Sequence, residues 1–289
     1  MLFSSICFAT PSANARRCAA FALIVVVSSG AGAQVQTFAG GVNAAAIQTQ
    51  VDAFRASLGP LNANVAGSFG SGRREINWDG VPDGSSAPNN LAANFFNVTS
   101  PRGVVFSTPG TGLAVSASTA SGMPLRFGNI DPSYGNTFAT FSAQRLFTAI
   151  GSNIVDVNFF VAGSSVSALS RGFGAVFSDV DLASTTSLQF YDGTNSLLGT
   201  YSTPVGAFSF LGVSFGSSVV SRVRITSGNT ALAANATDQD GDSRDVVVMD
   251  DFIFAETVPV TVAPEPSTYA LMATGLLAIA LMRRRIRQN

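Results

Sequence analysis

The stretch that decides the fold is "VVVMDDFIFA", residues 246–255. Eight of its ten residues are apolar, with Val, Ile and Phe dominant, which is the composition of a strand buried on both faces. Asp250 and Asp251 interrupt it. Strict alternation sends one of the two outward and the other inward. A buried carboxylate is costly unless it is paired or bound to a metal. Asp251 therefore needs an explanation, and the candidates are a cation, an arginine partner, or a charge that keeps a sheet edge from pairing.

Working outward, the same composition recurs in short runs from about residue 100. These are "RGVVFS", "LAVSAS", "IVDVNFFV", "FGAVFSDV", "SLQFY", "LLGTY", "FSFLGVSF" and "VVSRVRIT". Gly, Pro, Asn, Asp or Ser separates them. Val155, Val157, Phe159 and Val161 share one face, with Asp156 and Asn158 on the other. Val223 and Ile225 alternate with Arg222 and Arg224 in the same way. Asp192-Gly193 stands between two of the runs as a hairpin turn. About nine strands without long helices between them predict a mainly β fold, an antiparallel β-sandwich or jelly roll. One helix is expected before it, over 43–58. Ile47, Val51, Phe54 and Leu58 make a single apolar stripe, and Gly59-Pro60 ends it. That stripe either binds a partner or packs across an open end of the sandwich.

Composition narrows the chemistry. The 289 residues are 46% hydrophobic and 11% charged, with no His, and all 16 basic residues are Arg. Without His there is no Ser-His-Asp triad and no imidazole ligand. Without Lys there is no Schiff base. Cys7 and Cys18 both lie near the N-terminus.

Both ends read as addresses. Arg16 and Arg17 precede an apolar run from Cys18 to Val27, then small residues ending in Ala31-Gly32-Ala33. Positive charge, a short apolar core and an A-x-A site describe a secretory signal peptide, with cleavage after Ala33. The Arg pair also raises a twin-arginine route, though its flanking residues fit poorly. At the other end, residues 269–282 are apolar without a charge. Fourteen residues are few for a span, which takes about 20. Arg283, Arg284, Arg285 and Arg287 follow at once and mark a cytoplasmic side, so this run is expected to be a transmembrane helix.

Pro264-Glu265-Pro266, an apolar helix and an Arg cluster, in that order, resemble the PEP-CTERM sorting signal. The resemblance implies processing by an exosortase at Pro264-Glu265-Pro266, after a transient stay in the inner membrane. It also implies a Gram-negative host that makes extracellular polysaccharide. Residues 171–255 resemble, more loosely, a lectin-like β-sandwich found among such proteins. "FGSGRREINWDGVPD" (69–83) is similar to a segment of the same exported family, to which no activity is attached. The expected organisation is a signal peptide (1–33), a helical segment (34–60), a β-sandwich (61–257), and a linker with the sorting signal (258–289).

Residues 34–263 carry 10 Arg and 16 acidic residues, a net charge of −6. That balance argues against nucleic acid as a partner. It leaves carboxylates for cations. If Asp251 binds a structural Ca²⁺, as a last-strand aspartate does in many carbohydrate-binding sandwiches, Asp179 and Asp181 are the expected co-ligands. Asp238, Asp240 and Asp242 form a weaker candidate, because Gly241 comes too early for an EF-hand loop. A solvated acidic loop explains them equally. Trp78 beside Asp79 is either a sugar-stacking platform or an aromatic plug with turns at Asp79-Gly80 and Asp83-Gly84. Glu75 with Asp79 or Asp83 satisfies a loose glycosidase pattern. Two functions remain on this reading. One is an exported, non-enzymatic surface or matrix protein, glycan-binding or adhesive. The other is an exported hydrolase that works with carboxylates alone.

Overall fold

The computed structural model describes residues 26–27, 34–236, 243–260, 274 and 276. Three expectations fall outside them: the cleavage site at Ala31 and Ala33, the acidic loop at Asp238, Asp240 and Asp242, and the sorting residues from Pro264 to Arg287. Among the described residues no helix is long and apolar enough to cross a membrane.

The chain forms an antiparallel β-sandwich. Its strands are β1 (Val26–Val27), β2 (Gln34–Gly41), β3 (Arg73–Ile76), β4 (Val104–Ser107), β5 (Gly112–Val115), β6 (Phe147–Ile150), β7 (Ile154–Phe159) and β8 (Ala168–Leu169). They continue with β9 (Gly172–Val180), β10 (Ser187–Tyr191), β11 (Leu197–Ser202), β12 (Gly206–Ser214), β13 (Arg222–Thr226), β14 (Val248–Ala255) and β15 (Val258–Pro259). The larger sheet runs β1-β2-β12-β9-β14-β6-β5, with β3 also paired to β14, and the smaller runs β11-β10-β13-β7-β4. Asp192-Gly193 lies in the turn that joins the antiparallel pair β10 and β11.

The alternation read from the sequence decides which sides face. Val155, Val157 and Phe159 of β7, with Val223 and Ile225 of β13, point into the main core. Asp156 points out and is held by Arg222 and Arg224 from the neighbouring strand (2.8–2.9 Å). The larger sheet supplies Phe173, Phe177, Val213, Phe252 and Phe254 to the same core. Trp78 lies at its heart, stacked on Phe147 at 4.0 Å between ring centres and edge-on to Phe96 and Phe252.

The expected helix is α1 (Ala44–Leu58), and Asn43 caps it by accepting a hydrogen bond from Ala46 N. It does not close an end of the sandwich. It lies on the outer face of the larger sheet, where Ile47, Val51, Phe54 and Leu58 are fully buried against Val176, Phe210 and Ile253. Gly174 and Gly212, paired across β9 and β12, permit this approach: a Cβ on either would stand 2.7–2.8 Å from the Phe54 ring. The segment before the helix also differs from expectation. Residues 34–41 are a strand of the larger sheet, paired along β12. "QVQTFAGG" has three polar residues and two glycines among eight, so it lacks the apolar density of the other strands.

One end of the molecule is pinned by a buried ion pair. The Arg74 guanidinium binds both carboxylate oxygens of Glu256 at 2.9–3.1 Å. Its remaining N–H groups donate to the carbonyls of Ala63, Val65, Gly67 and Pro101. Both side chains are withdrawn from solvent. Arg74→Met strands the Glu256 charge and should cost about 3–5 kcal/mol in a denaturant melt. Adding Glu256→Leu should restore most of the loss, and a double variant as unstable as the single one would contradict this role.

Candidate functional site

The two aspartates of the opening stretch lie on a β-bulge. Met249 is opposite Phe177, yet Phe252 is opposite Ala175, so β14 carries one residue more than β9 between those pairs. Met249 and Phe252 both face the main core, whereas Val248 and Ile253 face outward. The extra residue therefore places Asp250 and Asp251 together on the outer face. Simple alternation, which separates them, fails at this point because a bulge shifts the period by one.

Both carboxyls are buried. The Ser142 hydroxyl lies 3.1 Å from Asp250 Oδ1 and 2.7 Å from Asp251 Oδ1. Phe141 N donates to Asp250 Oδ2 at 2.6 Å, and Arg55 Nη2 donates to Asp251 Oδ2 at 2.9 Å. Burial, then the neighbouring Asp251 charge, pushes the Asp250 carboxyl well above its ordinary range. Burial also raises Asp251, while Ser142 and Arg55 oppose the rise. Of the pair, Asp250 is the carboxyl pushed further toward the protonated form. On the other side of the strand, the Asp250 carbonyl accepts the Trp78 indole N–H at 2.6 Å.

Asp251 faces a cleft of about 400 Å³, lined also by Arg55, Asn64, Glu75, Asn77 and Arg102. That size is within the range of small-ligand sites. Glu75 is not a free carboxylate. It accepts from Arg55 at 3.0–3.2 Å and from Arg73 at 2.6 Å. Arg102 differs from the other two cations. Its Nε donates to the Glu75 carbonyl and its Nη1 reaches Ser100. Its guanidinium lies over the Phe96 ring at 5.0 Å. Among the described residues no carboxylate pairs with it and its Nη2 has no partner. Burial and the nearby Arg74 charge lower its pKa to about 10.

The residues expected to act are distributed differently. Trp78 is 1% exposed, so its rings are no platform for a sugar; it is the aromatic plug. Asp79 accepts from the backbone N–H groups of Gln144 and Arg145 and fastens that loop. Asp83 is bound by Arg145 at 2.6 Å and by Ser118 at 2.9 Å, which hold its carboxyl below the usual range. Asp179 and Asp181 do not join Asp251. Ser178 is opposite Val248, the first residue of β14, so they lie beyond that end of the strand, and Asp181 N donates to the Asp245 carboxylate. Among the described residues no three acidic, His or Cys side chains gather as a metal site. The Asp251 carboxylate has an arginine partner instead. The sequence reading missed Arg55, Arg102 and Ser142. Arg55 stands one position after Phe54 on α1, and its direction follows only once the helix is known to lie on the sheet face.

The C-terminus settles one question. Residues 262–285 match the PEP-CTERM protein-sorting motif. The chain carries a PEP-CTERM sorting signal. That signal implies export, a membrane-associated tail before processing, and an exosortase as the processing enzyme. No curated protein matches the chain. Among solved structures, the enzymatically active domain of tailspike protein 4 from bacteriophage CBA120 aligns at 13% identity and a TM-score of 0.22, over 58% of this chain and 21% of that one. A likeness of that size says nothing about fold or activity here.

A carboxyl whose folded pKa exceeds its unfolded value keeps its proton only in the folded chain between those two values, so stability falls as pH rises through that window. Asp250→Asn replaces the protonated carboxyl with a neutral amide and removes the Asp250 share of the dependence. The variant should melt higher than wild type at pH 8, with the gap closing as pH falls toward the ordinary carboxylate range. A variant less stable than wild type at every pH would show that Asp250 is not protonated in the fold.

Proposed function

We propose that this PEP-CTERM protein is a non-enzymatic, glycan-binding component of the cell surface or extracellular matrix, and that the cleft beside β14 is its binding site. The observation that carries the reading is the state of the charges there. Each carboxylate that an acid/base mechanism would need is already engaged: Glu75 by two arginines, Asp251 by Arg55 and Ser142, and Asp79 and Asp83 in fastening loops. A general acid or base must reach a substrate proton, and these groups are committed to the fold. Arg102 is the opposite case, a half-buried guanidinium without an anion.

Arg102 fits the carboxylate of an acidic sugar, since guanidinium and carboxylate match as a two-pronged pair. The exposed amides of Asn64 and Asn77 are then placed to read ring hydroxyls. A uronate-rich extracellular polysaccharide is the ligand class this chemistry suits. Ca²⁺ is not part of the reading, since a cation at Asp251 would have to displace Arg55.

Binding of oligogalacturonates and of uncharged glucan oligomers to the full chain in detergent tests this. The acidic series should bind without release of new reducing ends. Arg102→Met should weaken it about 10–100-fold, the worth of a hydrogen bond to a charged group. Equal affinity for the neutral series, or no change in the variant, would remove Arg102 from recognition. Turnover lost in Glu75→Gln would favour the carboxylate hydrolase instead.

A further inference from the structure

The end of the sandwich from which the chain runs toward its tail has a surface unlike the rest. Four segments meet there. Residues 65–69 join 161–167 through Gly67 N to Ala162 O (2.8 Å), and they join the chain's exit through Ser68 Oγ to Thr257 O (2.6 Å). Residues 97–100 join the same group through Gly163 N to Asn97 O and Asn97 Nδ2 to Ser164 O, both 2.8 Å. The exit strand β15 pairs with β8, and Val260 N donates to Ser167 O.

On this cluster Val65, Phe69, Val98, Val166 and Val260 are each 41–59% exposed. Those are half of the large apolar side chains that stand exposed among the described residues. Phe69 lies with one face over the buried Arg74 guanidinium at 5.4 Å, leaving it half open to solvent. Residues 61–72, 95–101, 159–170 and 257–263 contain no charged residue, although the segment 34–263 carries 26. Asp192 and Arg222 border the group across a surface pocket shared with Val260; the Asp192 carboxylate is used within its own turn by Thr194 and Ser196, and Arg222 is paired with Asp156. Exposed apolar groups on segments that carry no charge of their own are what a surface needs to enter a lipid interface, because little charge has to be desolvated.

The position of the chain's exit selects the occupant. The apolar run begins at Tyr269, so residues 261–268 can separate Val260 from the bilayer by at most about 28 Å. The opposite end of these strands lies at Gly41 and Val180, since Val35 is opposite Ser214 and Ser214 is opposite Gly172. Before processing, the membrane-associated tail that follows Val260 holds this end toward the membrane.

We propose that Val65, Phe69, Val98, Val166 and Val260 form a lipid-contacting face, which seats the domain on the bilayer while its tail is still inserted. This rests on reading residues 262–285 as the membrane-associated tail, and is independent of what the cleft binds. It gives the domain a fixed orientation while Pro264-Glu265-Pro266 awaits the processing enzyme.

The test uses the full chain in phosphatidylethanolamine–phosphatidylglycerol vesicles with brominated or plain acyl chains. Phe69→Trp puts an indole on the proposed face. Val42→Trp puts one at the opposite end, about 30 Å away along a nine-residue strand, where Val42 is exposed. The native Trp78 is buried and supplies the background. We expect brominated lipid to quench most of the added emission in Phe69→Trp and little of it in Val42→Trp. Equal quenching at both sites, or none at Phe69→Trp in chains that float with the vesicles, overturns the lipid face while leaving the tail intact. Chains that fail to float overturn the tail reading and the proposal with it. An emission change at Phe69→Trp that follows protein density instead of bromination identifies a second copy as the occupant and likewise overturns it.

Discussion

The structure depends on two carboxyls held side by side on one face of β14. Asp250 and Asp251 sit where this strand crosses the middle of the larger sheet, and a single extra residue turns both outward. Two buried carboxylates in contact cannot both stay charged at neutral pH. One keeps a proton, and the other needs a cation. Arg55 supplies the cation, which sets where α1 lies, and Ser142 with Phe141 N supplies the hydrogen bonds, which set where the 139–145 loop lies. The same bulge turns the Asp250 carbonyl toward Trp78 and anchors the aromatic core on the opposite side of the sheet. Helix, loop and core thus all register on one irregularity in one strand.

That arrangement has a consequence for chemistry. Carboxylates near a cleft suggest acid/base work, and a raised pKa strengthens the suggestion. Here the raised group is Asp250, which is sealed beneath Phe141 and Ser142, while the carboxylates nearer the cleft are bound by arginines. Arg102 is left as the polar group with spare capacity. That contrast between bound carboxylates and a spare guanidinium is the basis on which anion recognition is proposed.

Much of the fold was legible because its signals are local. Valine and phenylalanine at alternate positions marked β7 and β13, Asp-Gly marked the β10–β11 turn, and the four-three-four spacing of Ile47, Val51, Phe54 and Leu58 marked α1. The site was not legible, for a reason that is equally physical. A bulge leaves no signature in composition, so the period of two carried across Asp250 and Asp251 gave the wrong side for one of them. The partners are far away in sequence: Arg55 is 196 residues from Asp251. The idea that Asp179 and Asp181 would meet Asp251 assumed that distant strands bring their acidic residues to one edge, whereas the register displaces them along the sheet. Trp78 had two readings, a sugar platform and an aromatic plug, and burial decides for the plug. Its flanking Asp and Gly residues look like an exposed turn, but its backbone takes a left-handed conformation, φ +65°, and the ring is buried.

The sorting signal is a different kind of information. It says how the domain is delivered, and it is read from the tail without reference to the sandwich. The sandwich has to be judged by its own charges, and the protonation of Asp250 beside Asp251 is the point on which that judgement turns. A carbon-13 NMR titration of the aspartate side-chain carboxyls measures it directly. The account predicts one carboxyl resonance that remains in the protonated position up to neutral pH or beyond, assigned to Asp250 by its loss in Asp250→Asn. If every aspartate carboxyl ionises in the ordinary range, Asp250 is not protonated in the fold. The bulged, arginine-balanced face would then be wrong.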